Sequence, residues 1–328
     1  MLTRTFIFFI LIIGAITLFT SCEKVSQQLP QSMEAQLALL PADANALGYV
    51  NVQKVHESDI VNAFLDSTHV SPFANKDYQE FVEATGLDVQ KDITDIYFAV
   101  KLGEDHHEKN GLAVINGTFN PEKIIPYIEK EAKSHSLVKS SYGDFTIYQL
   151  VEDDTVTFAF VSNATLLVGS ENNITAWLDK SSGKSGKTLN ELIAQVNQIK
   201  YKDTAWFTMD ASLITEELKK KDIKKFKSLE NLKSLNLSMN LIDKFKFFGE
   251  SEFSSGEQAE LFYDAIKGFI AAGKLSTSDD REIVDILNSI TVNHENEQVT
   301  INIEFTKEDI KKLLDKKDSI APNILTAL

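Results

Sequence analysis

The sequence predicts an α+β protein: antiparallel sheets with helices packed mainly on one face, in two series of elements that share one order. Three observations predict it. Leu235, Leu237, Met239 and Leu241 alternate with Asn236, Ser238 and Asn240, the two-residue period of a strand with one wet face. Leu261, Phe262, Ala265, Ile266, Phe269 and Ile270 recur at the spacing of one helix face. Several strand-like runs are separated only by short polar turns, which marks hairpins.

In chain order, Leu40-Pro41-Ala42-Asp43 turns into a first strand over Leu47 to Val52. Ser58 caps a short helix with Ile60, Val61, Phe64 and Leu65, and a second helix from Asp77 to Ala84 stops at Gly86. Strands over Ile93 to Leu102 and Leu112 to Phe119 flank a charged loop, and Asn120-Pro121 opens a helix carrying Ile124, Ile125 and Ile128. Phe145 to Val151, Val156 to Val161 and Thr165 to Val168 are three further strands. Helices near Ile174 to Leu178 and Leu189 to Ile199 close the first series.

The second series opens with a strand at Trp206 to Met209 and continues through Leu235 to Leu241 and Phe245 to Phe253, a hairpin. The helix around Leu261 follows, then strands near Ile290 to His294 and Val299 to Phe305, and a last helix with Ile310, Leu313 and Leu314. Gly48-Tyr49-Val50 stands to the first series as Ala205-Trp206-Phe207 stands to the second, in pattern and not in letters. The expected divisions are a leader over 1–21, a polar tether over 22–40, a first α+β unit over 41–199 and a second over 200–328. A single continuous domain is the alternative to two duplicated units.

The start of the chain carries an address. Arg4 is the only charged residue before Glu23, and an apolar run from Phe6 to Phe19 ends in Thr20, Ser21 and Cys22. That run is shorter than the roughly 20 residues a membrane-crossing helix needs, and its layout is that of a cleavable signal. Leu18-Phe19-Thr20-Ser21-Cys22 resembles the lipobox of bacterial lipoproteins, in the relaxed Ser-Cys form of Bacteroidota-type signals, with Phe19 departing from the commoner small residue. The resemblance implies a diacylglycerol group on the Cys22 thiol and cleavage that makes Cys22 the first mature residue. Cys22 is also the single cysteine of the chain, so no internal disulfide can form and the core must carry stability alone.

The body is loosely similar to exported bacterial domain families that open on a Pro-x-Asp-Ala segment and a small-aromatic-Val strand. Here these are Pro41-Ala42-Asp43-Ala44 and Gly48-Tyr49-Val50, with Thr85-Gly86-Leu87-Asp88 before the next strand. That resemblance implies an exported body and transfers no activity.

Composition narrows the partners. A net charge of −15 excludes nonspecific binding of nucleic acid, which needs a basic footprint, and adsorption to anionic lipid, which needs clustered Lys or Arg. The expected partner is therefore a membrane, reached through lipid on Cys22, where two acyl chains suffice.

Motifs with chemical content are few. Ser181-Ser182-Gly183-Lys184-Ser185-Gly186-Lys187-Thr188 falls one residue short of a phosphate-binding loop, because Ser181 stands where glycine is required. A linker is the expected reading. His106 and His107, between Asp105 and Glu108, are the only stretch with metal-ligand character; adjacent residues on a loop point in different directions and form no fixed set, so they are weak metal candidates. Paired acids such as Asp279-Asp280 read as turn residues. Asn236, Ser238 and Asn240, with Thr300, Asn302 and Glu304, form polar strand faces that read as solvated or as a partner surface. The sequence thus points to a lipid-anchored envelope protein with a non-enzymatic binding or structural body and no cofactor. The alternatives are an envelope enzyme whose site is not legible in sequence, or metal handling through His106 and His107.

Overall fold

The structure, a computed structural model, describes residues 29–68, 76–101, 110–131, 136–151, 155–186, 192–196, 202–212, 229 and 231–315. The expectations at Cys22, His106, His107 and Lys187 fall outside these residues. Within them the protein is a mixed helical and antiparallel-sheet fold, as its periodicities predict.

Twelve strands form one sheet. The first series supplies β1 (Ala46–Asn51), β2 (Ile93–Val100), β3 (Gly111–Gly117), β4 (Ser136–Tyr142), β5 (Phe145–Val151), β6 (Val156–Ser162) and β7 (Thr165–Gly169). The second supplies β8 (Ala205–Asp210), β9 (Leu232–Asn240), β10 (Phe245–Phe253), β11 (Thr291–Glu295) and β12 (Gln298–Phe305). They lie side by side in the order β11-β12-β10-β9-β8-β1-β2-β3-β7-β6-β5-β4, every neighbouring pair antiparallel. The joint between the series is β1 against β8, with Tyr49 opposite Trp206. Outward from that joint the order is β1-β2-β3-β7-β6 on one side and β8-β9-β10-β12-β11 on the other, with β5 and β4 added beyond β6.

The helices are α1 (Gln31–Leu37), α2 (Val52–Glu57), α3 (Asp59–Thr68), α4 (Lys76–Thr85), α5 (Val89–Asp92), α6 (Pro121–Glu131), α7 (Glu171–Ser181), α8 (Ile193–Val196), α9 (Gly256–Ser276), α10 (Arg281–Asn288) and α11 (Lys307–Asp315). Their ends follow local chemistry. Gly86, at φ 74°, stops α4 in the left-handed conformation that glycine adopts at least cost. Ser170, Ser255 and Asp280 cap α7, α9 and α10 by accepting from the backbone N–H three residues on. The capping role of Asp280 accounts for one of the paired acids.

Residues directly opposite in an antiparallel pair share a face. On one face of the first series, Leu47, Ala99, Leu112, Val114 and Leu167 meet Leu37 of α1, Trp177 and Leu178 of α7, and Ile193 and Val196 of α8. On the other face Ile96, Ile115 and Leu166 meet Phe81 of α4 and Ile124 of α6. In the second series that other face is covered too: Met209, Leu235 and Val299 meet Ala259, Phe262 and Ile266 of α9. Helices therefore lie on both faces of the first series, which corrects the expectation of cover mainly on one. The cause is that β2, β3, β6 and β7 carry apolar residues at successive positions, so both faces demand burial.

Part of the stretch 22–40, expected as a polar tether, is packed on the body. Leu29, Leu37 and Leu40 are buried, and Lys180 of α7 donates to the Leu40 carbonyl oxygen at 2.6 Å. Packing starts no later than Leu29, because an apolar residue every few positions in that stretch finds the open side of the sheet.

Close strand approach leaves no room for a side chain at two glycines, Gly117 and Gly169. A Cβ on Gly169 of β7 would strike the Gly111 carbonyl oxygen and Leu112 Cα on β3, backbone atoms that no rotamer can move. Gly169→Ala is expected to cost about 1–3 kcal/mol, whereas Gly186→Ala, with open space around it, is expected to be neutral within about 0.5 kcal/mol. Urea unfolding of the two variants checks this, and equal midpoints would show that the strands are not so closely pressed.

Candidate functional site

The face of the sheet that bears Tyr49 changes character at the joint. From β1 to β7 it is largely apolar and helix-covered; β8 adds Trp206 and Thr208, and from β9 to β12 it is polar. Register places Asn240, Lys246 and Glu304 in one row across β9, β10 and β12. Ser238, Phe248, Asn302 and Thr291 form the next row, and Asn236, Glu250, Thr300 and Asn293 the one after. Phe248 is the one aromatic side chain in these three rows, set among amides, hydroxyls and charges.

Two depths of this polar field differ. Towards the joint it is buried: Asn236 is 5% exposed and Ser238 2%. This corrects the reading of both as wet-face residues. Thr208 Oγ1 lies 2.7 Å from Asn236 Oδ1 and 2.7 Å from Oε1 of Gln195 on α8, and Asn236 Nδ2 donates to Glu250 Oε1 at 3.3 Å. A hydrogen-bonded chain from α8 thus closes over this end of the strand. Buried polar groups are tolerated where they are so paired. Among the described residues Trp177 Nε1, Trp206 Nε1 and Ser238 Oγ are buried without a partner, and Trp206 stands directly opposite Ser238.

Away from the joint the field opens into a concavity of about 450 Å³, lined by Asp203, Asn240, Lys246, Phe247, Phe248, Ser289, Thr291, Asn302, Ile303 and Glu304. Its carboxylates are partnered internally. Lys244 Nζ donates to Glu304 Oε1 at 2.6 Å, Lys246 Nζ is 3.9 Å from Glu304 Oε2, and Asn240 Nδ2 donates to Asp203 Oδ1 at 3.1 Å. The Lys244 ammonium holds the Glu304 carboxyl below the usual carboxylate range, so it is an ionised acceptor and not a proton donor at neutral pH. Asn240, Asn302 and Glu304, which the sequence marks as polar-face residues, come together here. Asp203, Lys246 and Phe248 carry no sequence signal of their own; only strand register brings them in.

Two other concavities are less promising. One of about 380 Å³ lies beside Gly86, Asp92, Asn120 and Asn163 at the start of α6. The other, about 470 Å³, is an open and largely apolar trough over Phe98, Val100, Ala113 and Val168. The near phosphate-loop resolves into the end of α7: Ser181 is its last helical residue and Gly183, at φ 74°, turns the chain. A helix precedes it where a nucleotide loop needs a strand. Of the histidines, His56 lies in α2, and His294 in β11 has Nε2 2.7 Å from the Asn296 carbonyl oxygen. No group of three or more metal-ligating side chains occurs among the described residues.

The apolar half of the same face holds a second polar row. Asn51, Asp95 and Asn116 stand opposite one another across β1, β2 and β3. Asn116 Nδ2 donates to Asp95 Oδ1 at 2.8 Å, and Asn51 Nδ2 donates to Tyr49 Oη at 3.2 Å. Burial raises the Asp95 carboxyl above its ordinary range, against the lowering effect of Asn116. Burial also raises the phenols of Tyr49 and Tyr97, with the charge of Asp95 adding to it.

No family model, no curated protein and no solved structure matches the chain.

The raised carboxyl of Asp95 has a measurable consequence. A carboxyl whose pKa is higher folded than unfolded favours the fold when protonated, so its contribution is complete at pH below the ordinary carboxylate range and is lost as pH rises through the folded value. Asp95→Asn is therefore expected to raise stability at pH 7 and to lose that advantage near pH 3. Thermal or urea unfolding of both proteins from pH 3 to pH 7 tests it; a variant equally destabilised at both ends would show that the Asn116 bond, not the burial of charge, dominates.

Proposed function

We propose that this protein is a lipid-anchored component of a bacterial cell envelope, tethered through Cys22, whose body is a non-enzymatic binding module using the polar concavity of β9, β10 and β12. The observation that carries the anchoring is Leu18-Phe19-Thr20-Ser21-Cys22, a lipobox-like end to a short apolar run at the single cysteine of the chain. Among the described residues no helix is long and apolar enough to cross a membrane, and a net charge of −15 gives an anionic surface no reason to hold the body. Attachment is left to the lipid.

The tether limits where the body can be. From Cys22 to the packed Leu29 the chain reaches at most about 25 Å even when fully extended. The body therefore works within one domain diameter of the membrane.

The binding role is supported by the ground state of the concavity. The Glu304 carboxylate is held by the Lys244 ammonium and the Asp203 carboxylate by the Asn240 amide, which suits recognition of a ligand more than proton transfer. We further read the two series as duplicated units. The outward orders β1-β2-β3-β7-β6 and β8-β9-β10-β12-β11 favour that reading, because a two-fold axis through the joint would exchange them.

Cys22→Ala tests the anchor. The wild-type chain with a C-terminal tag is expected in the membrane fraction, its N-terminal peptide bearing acyl mass at Cys22. The variant is expected as an uncut precursor or a soluble product without that mass. Mass spectrometry of the membrane-extracted protein decides, and an unmodified Cys22 thiol or a mature terminus elsewhere rejects the proposal.

A further inference from the structure

We infer that the concavity on the polar face of β9, β10 and β12 takes a neutral, polyhydroxylated ligand, an oligosaccharide; this rests on reading the body as a binding module. Three features select that chemistry. The first is charge. Lys244 is committed to Glu304 at 2.6 Å, with Lys246 at 3.9 Å on the other carboxylate oxygen, so a phosphate or carboxylate ligand would have to displace an existing ion pair. The same lysines sit where a bound cation would have to be, which disfavours metal binding at Glu304.

The second feature is the type of polar group. Asn302 is a carboxamide offering acceptor and donor from one plane, Asn240 is already bonded at both ends to Asp203 and to the Ile242 N–H, and Asp203 and Glu304 are carboxylates with lone pairs left after their internal bonds. Sugar hydroxyls both donate and accept, and neighbouring hydroxyls on a ring match a planar two-point partner. The third is the floor. Phe248 lies between Ser238 on β9 and Asn302 on β12, on the same face as Asn240, so one aromatic ring interrupts the polar field. A pyranose has an apolar face of C–H groups at right angles to its hydroxyl rim, and needs this pairing of a ring below and amides around. A peptide would instead seek a free strand edge or several apolar sockets. The volume of about 450 Å³ lies within the range of small-ligand sites, about 300–1,000 Å³.

The test uses the full chain, purified in a detergent without a sugar headgroup. Titration calorimetry is run with neutral tetrasaccharides of glucose, mannose and N-acetylglucosamine, with inorganic phosphate, and with a trialanine peptide. At least one tetrasaccharide is expected to bind. Asn302→Ala and Phe248→Leu are each expected to weaken it about tenfold, the scale of one lost hydrogen bond or stacked face. Lys139→Ala, on β4 and paired there with Glu129, is expected to change nothing. Unfolding midpoints close to wild type establish that the two site variants remain folded.

Saccharide binding that neither site variant weakens overturns the assignment of the site. Binding of phosphate or peptide, but of no saccharide, with the same sensitivity to the two variants overturns the ligand class and leaves the binding module standing. If none of the probes binds, the inference and the binding role of the concavity both fail, while the anchor is judged separately by the mass of Cys22.

Discussion

Five opposed pairs, Ala46 with Met209 through Val50 with Ala205, hold the two series in one sheet. Both faces of that joint are built from aromatic rings around minimal backbone. On one side Tyr97, Tyr49 and Trp206 lie in a row, Tyr49 4.8 Å from Tyr97 and 5.9 Å from Trp206 by ring centroid. On the other side Gly48 has Phe98 and Phe207 as its two cross-strand neighbours, their rings 6.4 Å apart. A side chain at Gly48 would enter the Phe98 ring, so glycine here makes the space in which the two rings stack. Each such aromatic pair adds about 0.5–1.5 kcal/mol beyond its buried area. The strands so joined are remote in sequence, which makes the joint expensive in chain entropy to close and cooperative once closed.

The polar site depends on the same joint. Trp206 continues the aromatic row, and its neighbour Ser238 starts the polar field, so the change from apolar to polar occurs between two adjacent strands, while the face opens only further out, at the concavity. In the first series α7 follows β7 and lays Ile174, Trp177 and Leu178 on that face. In the second series α11 follows β12 and packs instead with α3 and α10, joined by Lys312 to Glu282 at 3.1 Å. The helix after β7 thus buries an apolar face, whereas the helix after β12 leaves Asn240, Phe248 and Asn302 to the concavity.

The periodic parts of this arrangement are legible in sequence because each element answers to its own residues. Gly86 stops its helix, Asn120-Pro121 opens the next, and Phe245 to Phe253 is read to the residue. β4 (Ser-Leu-Val-Lys-Ser-Ser-Tyr) is missed: as an edge strand it buries little, and Lys139 on it serves to keep the edge soluble. α10 is missed although Ile283, Ile286 and Leu287 mark one face, because Asp279-Asp280 reads as a turn and Asp280 is in fact the cap that opens the helix. The burial of Asn236 and Ser238 is illegible for another reason. Alternation says which residues share a face, and only the partner elements, here Gln195 on α8, say whether that face meets water. The concavity suffers the same limit, since its residues come from five separate segments.

A charge-matched site on an acidic body bears on how the protein meets its ligand. With exposed charges screened over about 8 Å at physiological ionic strength, the net charge of −15 steers anionic molecules away without reaching a neutral one. The carboxylates of Asp203 and Glu304 equal the ammonium groups of Lys244 and Lys246 in number, so a neutral ligand encounters short-range hydrogen bonding and a ring and little field. Binding governed that way is insensitive to salt and modest in strength for each contact, and gains mainly from repetition. If the proposed lipid anchor holds many copies within about 25 Å of one membrane, it supplies such repetition. The proposed anchor and the inferred neutral site are therefore complementary: a lipid tether would convert weak single contacts into retention at a membrane.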